Sequence, residues 1–380
     1  MKKLLPEVCT IQYGFPFDSA KFSDSNGMPL IRIRDVVRGY SETYTTEEYK
    51  SEYIVHENDL LIGMDGEFNI AKWGKTPALL NQRVCRLAPK DSIDKDYLFY
   101  FMPIALKRIE EKTPFVTVKH LSAKELNKIE IPVLSLEEQR KIAETLSKVD
   151  ELIAFQEQQL AKLDELVKAR FVEMFGDLVA PQCEYPELKL VDICADADDI
   201  KCGPFGTQLN RDEYKAKGVA VWEIPQINSG FSEMPTHFIT EEKAVILNAY
   251  SIEPGDIAMS RKGNVGKCGL FPENLKKGII HSDVLRIRVD KRKVDSCFMM
   301  YQLHFSEAVK RQIEMVSSGA IMAGINVTKL KQIKVRIPEL ENQRMFAAFV
   351  ERVDQQKQTI QQSLEKLELL KKALMQEYFG

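Results

Sequence analysis

The chain of 380 residues lacks the features that would place a protein in a membrane or outside the cell. No apolar run approaches the roughly 18 residues that a membrane-spanning helix needs. The N-terminal segment MKKLLPEVC has two lysines but no apolar stretch after them, which argues against a signal peptide. The seven cysteines are scattered along the chain and form no C-x-x-C pair, which is typical of reduced thiols packed in a protein interior. We therefore expect a cytoplasmic protein.

The chain also lacks the motifs of common catalytic and metal sites. It has no Pro-Pro, and hence no Asn/Asp-Pro-Pro-aromatic turn of the kind found in amino-methyltransferases. GNVGKCG at 263–269 does not have the spacing of a phosphate loop, and the five histidines do not have zinc-ligand spacing. A Glu-Glu-Lys fragment at 241–243 is a weak nuclease signal, of a kind that arises by chance in chains rich in Glu and Lys. We predict no catalytic residue and no metal ligand.

Composition and charge are those of an ordinary globular protein. Hydrophobic residues make up 44% of the chain and charged residues 29%, which excludes wholesale disorder. The net charge of −3 excludes a general polycation, but it leaves room for local basic patches. The length predicts two or three domains.

The most informative feature present is a phrase that occurs twice, 204 positions apart. EQRKIAETLSKVD at 138–150 returns as NQRMFAAFVERVD at 342–354. The match continues without a gap for roughly forty residues and ends in Phe-Gly at 175–176 and 379–380. Two copies are too few for a solenoid, so the sequence indicates an internal duplication.

Both copies have the 3.5-residue spacing of a coiled-coil seam. A cap at Ser135 and a stop at Gly176 bound the first helix. The second copy places Lys357 and Lys371 in its seam, which lowers stability but fixes register. We predict long helices at 134–177 and 339–380 that pack on each other. The seam positions are Ile142, Leu146, Val149, Ile153, Gln156, Leu160, Leu163, Val167, Arg170 and Met174 in the first copy and Phe346, Val350, Val353, Lys357, Ile360, Leu364, Leu367, Lys371, Leu374 and Tyr378 in the second.

A globular body precedes each helix, at 1–133 and 178–338, and the two bodies resemble each other only faintly. Alternating or continuous apolar segments bounded by turn residues predict strands in both. Because the helices are alike and the bodies differ, we infer that the bodies meet different targets. The matched strand segments are 54–68 with 251–265, 79–87 with 279–287, and 129–132 with 335–338. Two further strands are predicted, PLIRIRDV at 29–36 and GVAVWEIPQI at 218–227.

Residue types that contact nucleic acid gather in glycine-containing loops of both bodies. Arginine suits guanine, Asn and Gln suit adenine, acidic side chains accept from cytosine, and cations suit phosphate. The alternative is that these are ordinary polar surface loops. The candidate DNA-binding residues are Glu67, Phe68, Asn69, Lys72, Asn81, Gln82 and Arg83 in the first body and Lys201, Thr207, Gln208, Arg261, Lys262, Asn264, Lys267, His281 and Ser282 in the second.

The whole pattern resembles the specificity (S) subunit of Type I restriction-modification systems. The most specific part is IPVLSLEEQRKIAETLSKVDELI at 131–153 with its echo IPELENQRMFAAFVERVDQQ at 337–356. The segments YGFPF and CGPFG resemble the family's target recognition domains more weakly. The resemblance covers essentially the whole chain. It implies an α+β fold in which two target recognition domains, 1–133 and 178–338, alternate with two helices that pair as an antiparallel coiled coil under pseudo-twofold symmetry.

The resemblance also implies a function. A non-catalytic chain would read a bipartite, asymmetric site on double-stranded DNA and dock two methyltransferase subunits and the restriction subunits. S-adenosylmethionine, ATP and Mg would be bound by those partners. We expect Gln139, Arg140, Gln343 and Arg344 to be exposed on the helices and to contact the partners, unless they bond the body beneath them. Two alternatives are a stand-alone two-headed DNA-binding regulator, which would need no methyltransferase, and a nuclease that cuts DNA alone with Mg.

Overall fold

The computed structural model describes residues 1–112, 119–176, 178, 183–317 and 324–380. It divides into two compact units. Unit 1 comprises Met1–Gln158 and Gln361–Gly380, and unit 2 comprises Gln159–Ile360. Each unit thus contains one body together with a segment of each long helix.

The body of unit 1 is built from two sheets and a separate strand pair. Its elements, ending with the first long helix, are β1 (Lys2–Leu4), α1 (Leu5–Val8), β2 (Cys9–Tyr13), β3 (Phe22–Ser23), β4 (Met28–Ile31), α2 (Ile33–Arg38), β5 (Tyr44–Thr45), β6 (Ile54–Val55), β7 (Leu60–Gly63), β8 (Asn69–Lys72), β9 (Ala78–Leu80), β10 (Val84–Pro89), α3 (Lys95–Lys112), α4 (Ala123–Asn127), β11 (Glu130–Pro132) and α5 (Leu136–Phe175). One sheet, β2-β10-β7-β8, is antiparallel throughout. In the other sheet, β3-β5-β4-β9-β6, strands β4 and β9 run parallel. The separate strand pair is formed by β1 and β11.

Unit 2 repeats this plan. Its elements are β12 (Glu187–Lys189), β13 (Ile200–Cys202), β14 (Val219–Trp222), α6 (Ile224–Asn228), β15 (His237–Ile239), α7 (Glu241–Ile246), β16 (Ser251–Ile252), β17 (Ile257–Ser260), β18 (Cys268–Leu270), β19 (Gly278–Ile280), β20 (Val284–Ile287), α8 (Ser296–Phe305), α9 (Glu307–Ser317), α10 (Val327–Lys331), β21 (Lys334–Arg336) and α11 (Leu340–Phe379). The sheet β13-β20-β17-β18 matches β2-β10-β7-β8, and β14-β19-β16 matches β4-β9-β6 with the same parallel central pair. The faint sequence repeat between the bodies therefore reflects one shared topology.

The strand predicted at 29–36 is wrong in its second half. Strand β4 ends at Ile31, and the chain turns into helix α2. The reason is a cap: Asp35 Oδ2 accepts a hydrogen bond from the Arg32 N–H at 2.8 Å, which satisfies a donor at the start of the helix. The helix stops at Gly39, whose φ of 74° is left-handed. Local capping thus overrides an alternating pattern.

The strand predicted at 218–227 is wrong only in its second half, for the same reason. Strand β14 ends at Trp222 and helix α6 follows. Gln226 Oε1 accepts from the Glu223 N–H at 3.1 Å, and Pro225 lies in the first turn, where its missing N–H costs nothing. The equivalent segments of the two bodies therefore share a strand-to-helix turn.

The long helices form the predicted coiled coil. Each predicted seam residue is buried or half-buried. In unit 1, Asp150 lies 2.6 Å from Lys371, and Gln156 donates to Ser363 at 2.7 Å. Because numbers rise along α5 as they fall along α11, the helices run antiparallel. The seam of unit 2 contains the ion pair of Lys357 with Asp164.

An arginine, half-buried in unit 1 and buried in unit 2, ties the two sheets of each body together. Arg86 of β10 donates to the Ile54 carbonyl of β6 at 2.8 Å. Arg286 of β20 donates to the Ser251 carbonyl of β16 at 2.7 Å and is only 4% exposed. Buried carbonyl groups need donors, and a guanidinium can satisfy several at once. None of the helices in the described ranges is long and apolar enough to span a membrane.

Candidate nucleic-acid interface

Loops from both sheets meet at one edge of each body, where a glycine directly follows β2 in unit 1 and β13 in unit 2. The Gly14 N–H donates to the Val84 carbonyl at 3.0 Å, and the Gly203 N–H donates to the Val284 carbonyl at 3.1 Å. A Cβ at Gly14 would lie 1.9 Å from a backbone oxygen, and a Cβ at Gly203 would lie 2.2 Å from one. Only glycine allows this approach. The glycines of YGFPF and CGPFG thus hold the loops that follow β9 and β19 close to the first strand.

The corner of unit 1 lies where β7 ends and β10 begins. The Met64 N–H donates to the Arg83 carbonyl at 2.9 Å, which extends the ladder by one residue. The next side chain, Asp65, lies 3.6 Å from the guanidinium of Arg83. His120 reaches the same place, with its Nδ1 3.1 Å from Arg83 Nη1 and in contact with Asp65. One carboxylate therefore faces two basic side chains.

The corner of unit 2 is formed by the ends of β17 and β20. The Arg261 N–H donates to the Asp283 carbonyl at 2.9 Å, as in unit 1. The next side chain, Lys262, places its Nζ 2.8 Å from Asp283 Oδ1. His281 lies beside this pair, 3.8 Å from Asp283 and 3.9 Å from Glu223. The corner again combines acidic and basic groups.

An acidic and aromatic cluster adjoins this corner of unit 2. Glu223 Oε2 is 2.7 Å from His237 Nδ1, and the Tyr214 ring stacks on His237 with 4.5 Å between centroids. Burial raises the pKa of Tyr214, and the charge of Glu223 raises it further. Tyr214 is therefore a neutral phenol at physiological pH.

The structure divides the seven candidates of unit 1. Glu67, Gln82 and Arg83 are exposed. Phe68 and Asn81 are each 7% exposed, Phe68 within the apolar core, and their contact with DNA stays a prediction. Two candidates are half-buried with intramolecular partners: Lys72, which pairs with Asp96 at 2.8 Å, and Asn69, which donates to the Glu67 carbonyl at 3.2 Å.

In unit 2, Thr207, Gln208, Lys262 and Asn264 are exposed, and Lys267, His281 and Ser282 are half-buried. Arg261 holds the loops together, because its Nε donates to the Ile325 carbonyl at 3.0 Å and its guanidinium lies 4.7 Å from the Phe205 ring centroid. Lys201 pairs with Asp198 at 3.0 Å, and this hydrogen bond lowers the pKa of the carboxyl. Arg261 and Lys201 are therefore already engaged within the unit.

The two helix glutamines are not exposed, so that part of the partner-contact expectation is wrong. Gln139 and Gln343 are both 0% exposed. Gln139 accepts from the Asp94 N–H at 2.7 Å and donates to the Leu134 carbonyl at 2.9 Å. Their side chains thus bond the body beneath them. Arg140 and Arg344 are exposed, and their contact with partners stays a prediction.

Sequence reasoning missed several corner residues. Asp65 and Asp283 lie in loops that the sequence singles out, and their acidic character was the available signal. His120 gives no signal, because it contacts Asp65 across 55 residues of chain. Across the described segments, no group of three or more His, Cys, Asp or Glu is placed to hold a metal ion.

The two bodies share one topology but carry different polar side chains at the same corner. Together with the pair of long helices, they define a two-headed recognition subunit. A family model described as Type I restriction modification DNA specificity domain matches residues 1–165 and 199–369. The chain belongs to this family. It is a non-catalytic subunit that recognises DNA sequence in a type I restriction-modification system, and the comparisons give no support to a stand-alone regulator.

Curated relatives and solved structures agree with this assignment. The chain is 28% identical over 376 residues to the type I restriction enzyme EcoBI specificity subunit of Escherichia coli, covering 92% of this chain and 78% of that protein. It is 24% identical to the MjaVIII specificity subunit of Methanocaldococcus jannaschii, with 91% and 87% covered. The crystal structure of an S subunit from M. genitalium shares the fold, with a TM-score of 0.62 at 17% identity and coverage of 100% and 96%.

Proposed function

We propose that the two bodies each read one half of a bipartite, asymmetric site on double-stranded DNA. The proposal rests on the corners of the two units, where β7 meets β10 and β17 meets β20. The backbone geometry is the same in both units, while the side chains that project from it differ. Equal scaffolds with unequal polar groups suit two half-sites of different sequence, since base edges are distinguished by donor and acceptor patterns.

The exposed members of the candidate set supply the contacts in this proposal. Base edges would be read by Glu67, Gln82 and Arg83 in unit 1 and by Gln208, Lys262 and Asn264 in unit 2, all of which are exposed. Half-buried Lys72, Lys201 and Lys267 would favour phosphate by charge.

The partners in this proposal are two methyltransferase subunits and the restriction subunits. The relatives' names place those proteins in type I restriction enzymes, and a solved structure of the same fold concerns complex assembly and conformational transition of the type I R-M system, with a TM-score of 0.58 at 16% identity. Exposed Arg140 and Arg344 are the proposed helix contacts. S-adenosylmethionine, ATP and Mg would be bound by the partners, and the complex would act in the cytoplasm.

The test is to express the chain with the methyltransferase of its own system and to map modified adenines by long-read sequencing. A split, asymmetric motif with a methylated adenine in each half is the expected result. An assembled complex that adds no methylation would contradict the proposal and leave a chain that binds without directing modification. Lys262→Ala should relax the half-site of unit 2 alone, and equal relaxation of both halves would contradict independent reading.

A further inference from the structure

The two corners occupy equivalent positions in their sheets. The ladder of unit 1 ends with Gly63 opposite Val84, and that of unit 2 ends with Ser260 opposite Val284. In both units the next N–H donates across the ladder at 2.9 Å. The side chains one step further are therefore matched: the second residue after β7 or β17 is Asp65 or Lys262, and its neighbour directly before β10 or β20 is Arg83 or Asp283.

Both units place an acid–base pair at this position, but the charges are exchanged. In unit 1 the acid follows the first strand and the base precedes the second, 3.6 Å apart. In unit 2 the base follows the first strand and the acid precedes the second, 2.8 Å apart. A reversed order matters to a ligand that presents a donor and an acceptor side by side.

The cation of each pair is free to turn towards such a ligand. The side chains of Arg83 and Lys262 are 52% and 47% exposed, whereas their carboxylate partners, Asp65 and Asp283, are 20% and 27% exposed. Ion pairs this exposed contribute about 0–1 kcal/mol, so exchanging the partner of the cation costs little. The better-buried carboxylate stays in place as a fixed acceptor.

A G·C base pair presents the matching groups in the major groove. Guanine offers O6 and N7 as acceptors, and cytosine offers its N4 amino group as a donor. A cation therefore pairs with guanine while an adjacent carboxylate accepts from cytosine. Reversing the order of the side chains reverses the orientation of the base pair that they fit.

We propose that Asp65–Arg83 and Lys262–Asp283 each read one G·C base pair, with the guanine oriented oppositely in the frames of the two bodies. This inference rests on the proposed function, because it assigns one position within each half-site. His120 beside Asp65 extends the corner of unit 1, and Glu223 beside His281, which itself lies beside Asp283, extends the corner of unit 2.

The experiment exchanges the charges of one pair in the complete complex with the methyltransferase. The wild-type motif is mapped first. Asp65→Arg combined with Arg83→Asp gives unit 1 the order of unit 2. The expected result is a motif in which one G·C of one half-site becomes C·G while the other half is unchanged. Methylation of the original motif should fall about 10- to 100-fold, as for one mismatched base pair.

Two further variants keep the test decisive. Arg83→Lys preserves the cation and should retain the guanine, whereas Arg83→Ala should relax that position alone. The matched control exchanges another exposed pair of unit 1, Glu125→Lys with Lys128→Glu, whose side chains are 45% and 59% exposed, and it should leave the motif unchanged.

The outcomes separate the two proposals. A wild-type complex without a split motif removes the proposed function and this inference with it. A wild-type split motif that the charge exchange leaves unchanged overturns the inference alone. If the exchanged complex methylates nothing, Arg83→Ala decides. An unaltered motif, or changes at several positions, overturns the assignment, and relaxation at one G·C supports it.

Discussion

The side-chain oxygen of Gln139 accepts a hydrogen bond from the backbone N–H of Asp94, 2.7 Å away. Asp94 in turn caps the helix that begins at Lys95, because its Oδ1 accepts from the N–H of Tyr97 at 3.0 Å. Unit 2 repeats the arrangement, with 2.9 Å between Gln343 Oε1 and the N–H of Asp295, the N-cap of α8. The repeated Gln-Arg of the sequence therefore joins the start of each long helix to its body.

Removing one of these glutamines should destabilise the chain. In Gln139→Ala the half-buried Asp94 N–H and the carbonyls of Ser92 and Leu134 lose a partner. Leaving buried polar groups unpaired costs about 1–3 kcal/mol, which we expect as the loss in the free energy of unfolding measured in urea. Arg140→Ala, one residue away and exposed, is the control and should stay within about 0.5 kcal/mol. Equal stability of the two variants would contradict the role of the glutamine.

Gln139 also shows what the sequence predicts well and where its chemistry misleads. The heptad spacing predicted both long helices, because the period is local and continues through α5 and α11. One step back from Ile142 in the same phase lies Gln139, so the spacing already assigned it to the buried face. Its polar side chain suggested exposure, because the acceptor and donors that satisfy it lie on another part of the chain.

At the corners, the sequence predicted the cations but not the carboxylates that they face, for a related reason. Arg83 belongs to the polar loop NQR at 81–83 and Lys262 to the loop SRKGNVGK at 260–267, and both loops are visible in the sequence. The partner that each cation faces is set by strand register, as when Ser260 opposite Val284 aligns Lys262 with its carboxylate. No spacing along the chain encodes that register. The shared topology of the bodies was only faintly visible in the sequence, because buried strands tolerate any apolar residue of suitable shape.

The polar seam of the coiled coil should cost stability and provide specificity. Lys371 and Asp150 are 37% and 34% exposed, so their pairing only partly offsets their desolvation. Asp150→Asn with Lys371→Leu removes both charges but keeps an acceptor for the Tyr100 hydroxyl, which donates to Asp150 at 3.0 Å, and it should raise the free energy of unfolding in urea by up to about 1 kcal/mol. It should also allow association between copies, detected by analytical ultracentrifugation. Lys372→Leu, at an exposed position, is the control, and a double variant less stable than this control would contradict the prediction.

The arginine that links the sheets of unit 2 should be among its most sensitive positions. Arg286 donates to the carbonyls of Ser251 and Asp198 at 2.7 and 3.0 Å, and burial lowers its pKa. Arg286→Met keeps most of the volume but leaves these acceptors unpaired, so we expect a loss of about 2–4 kcal/mol in urea unfolding. Arg344→Met, on the exposed face of α11, should change stability by less than about 0.5 kcal/mol. Comparable losses in both variants would show that Arg286 does not bridge the sheets.

Cysteine reactivity should follow burial. Desolvation raises the pKa of Cys85 and of Cys268 to about 12, so at pH 8 only about one molecule in 10⁴ carries the reactive thiolate at either site. Cys183 is half-buried and lies outside the sheets. Timed alkylation with iodoacetamide, followed by peptide mass spectrometry, should show Cys183 modified first in the native chain. Cys85 and Cys268 should react as fast as Cys183 only in denaturant. Fast labelling of Cys268 in the native chain would mean that the interior of unit 2 opens far more readily than its packing implies.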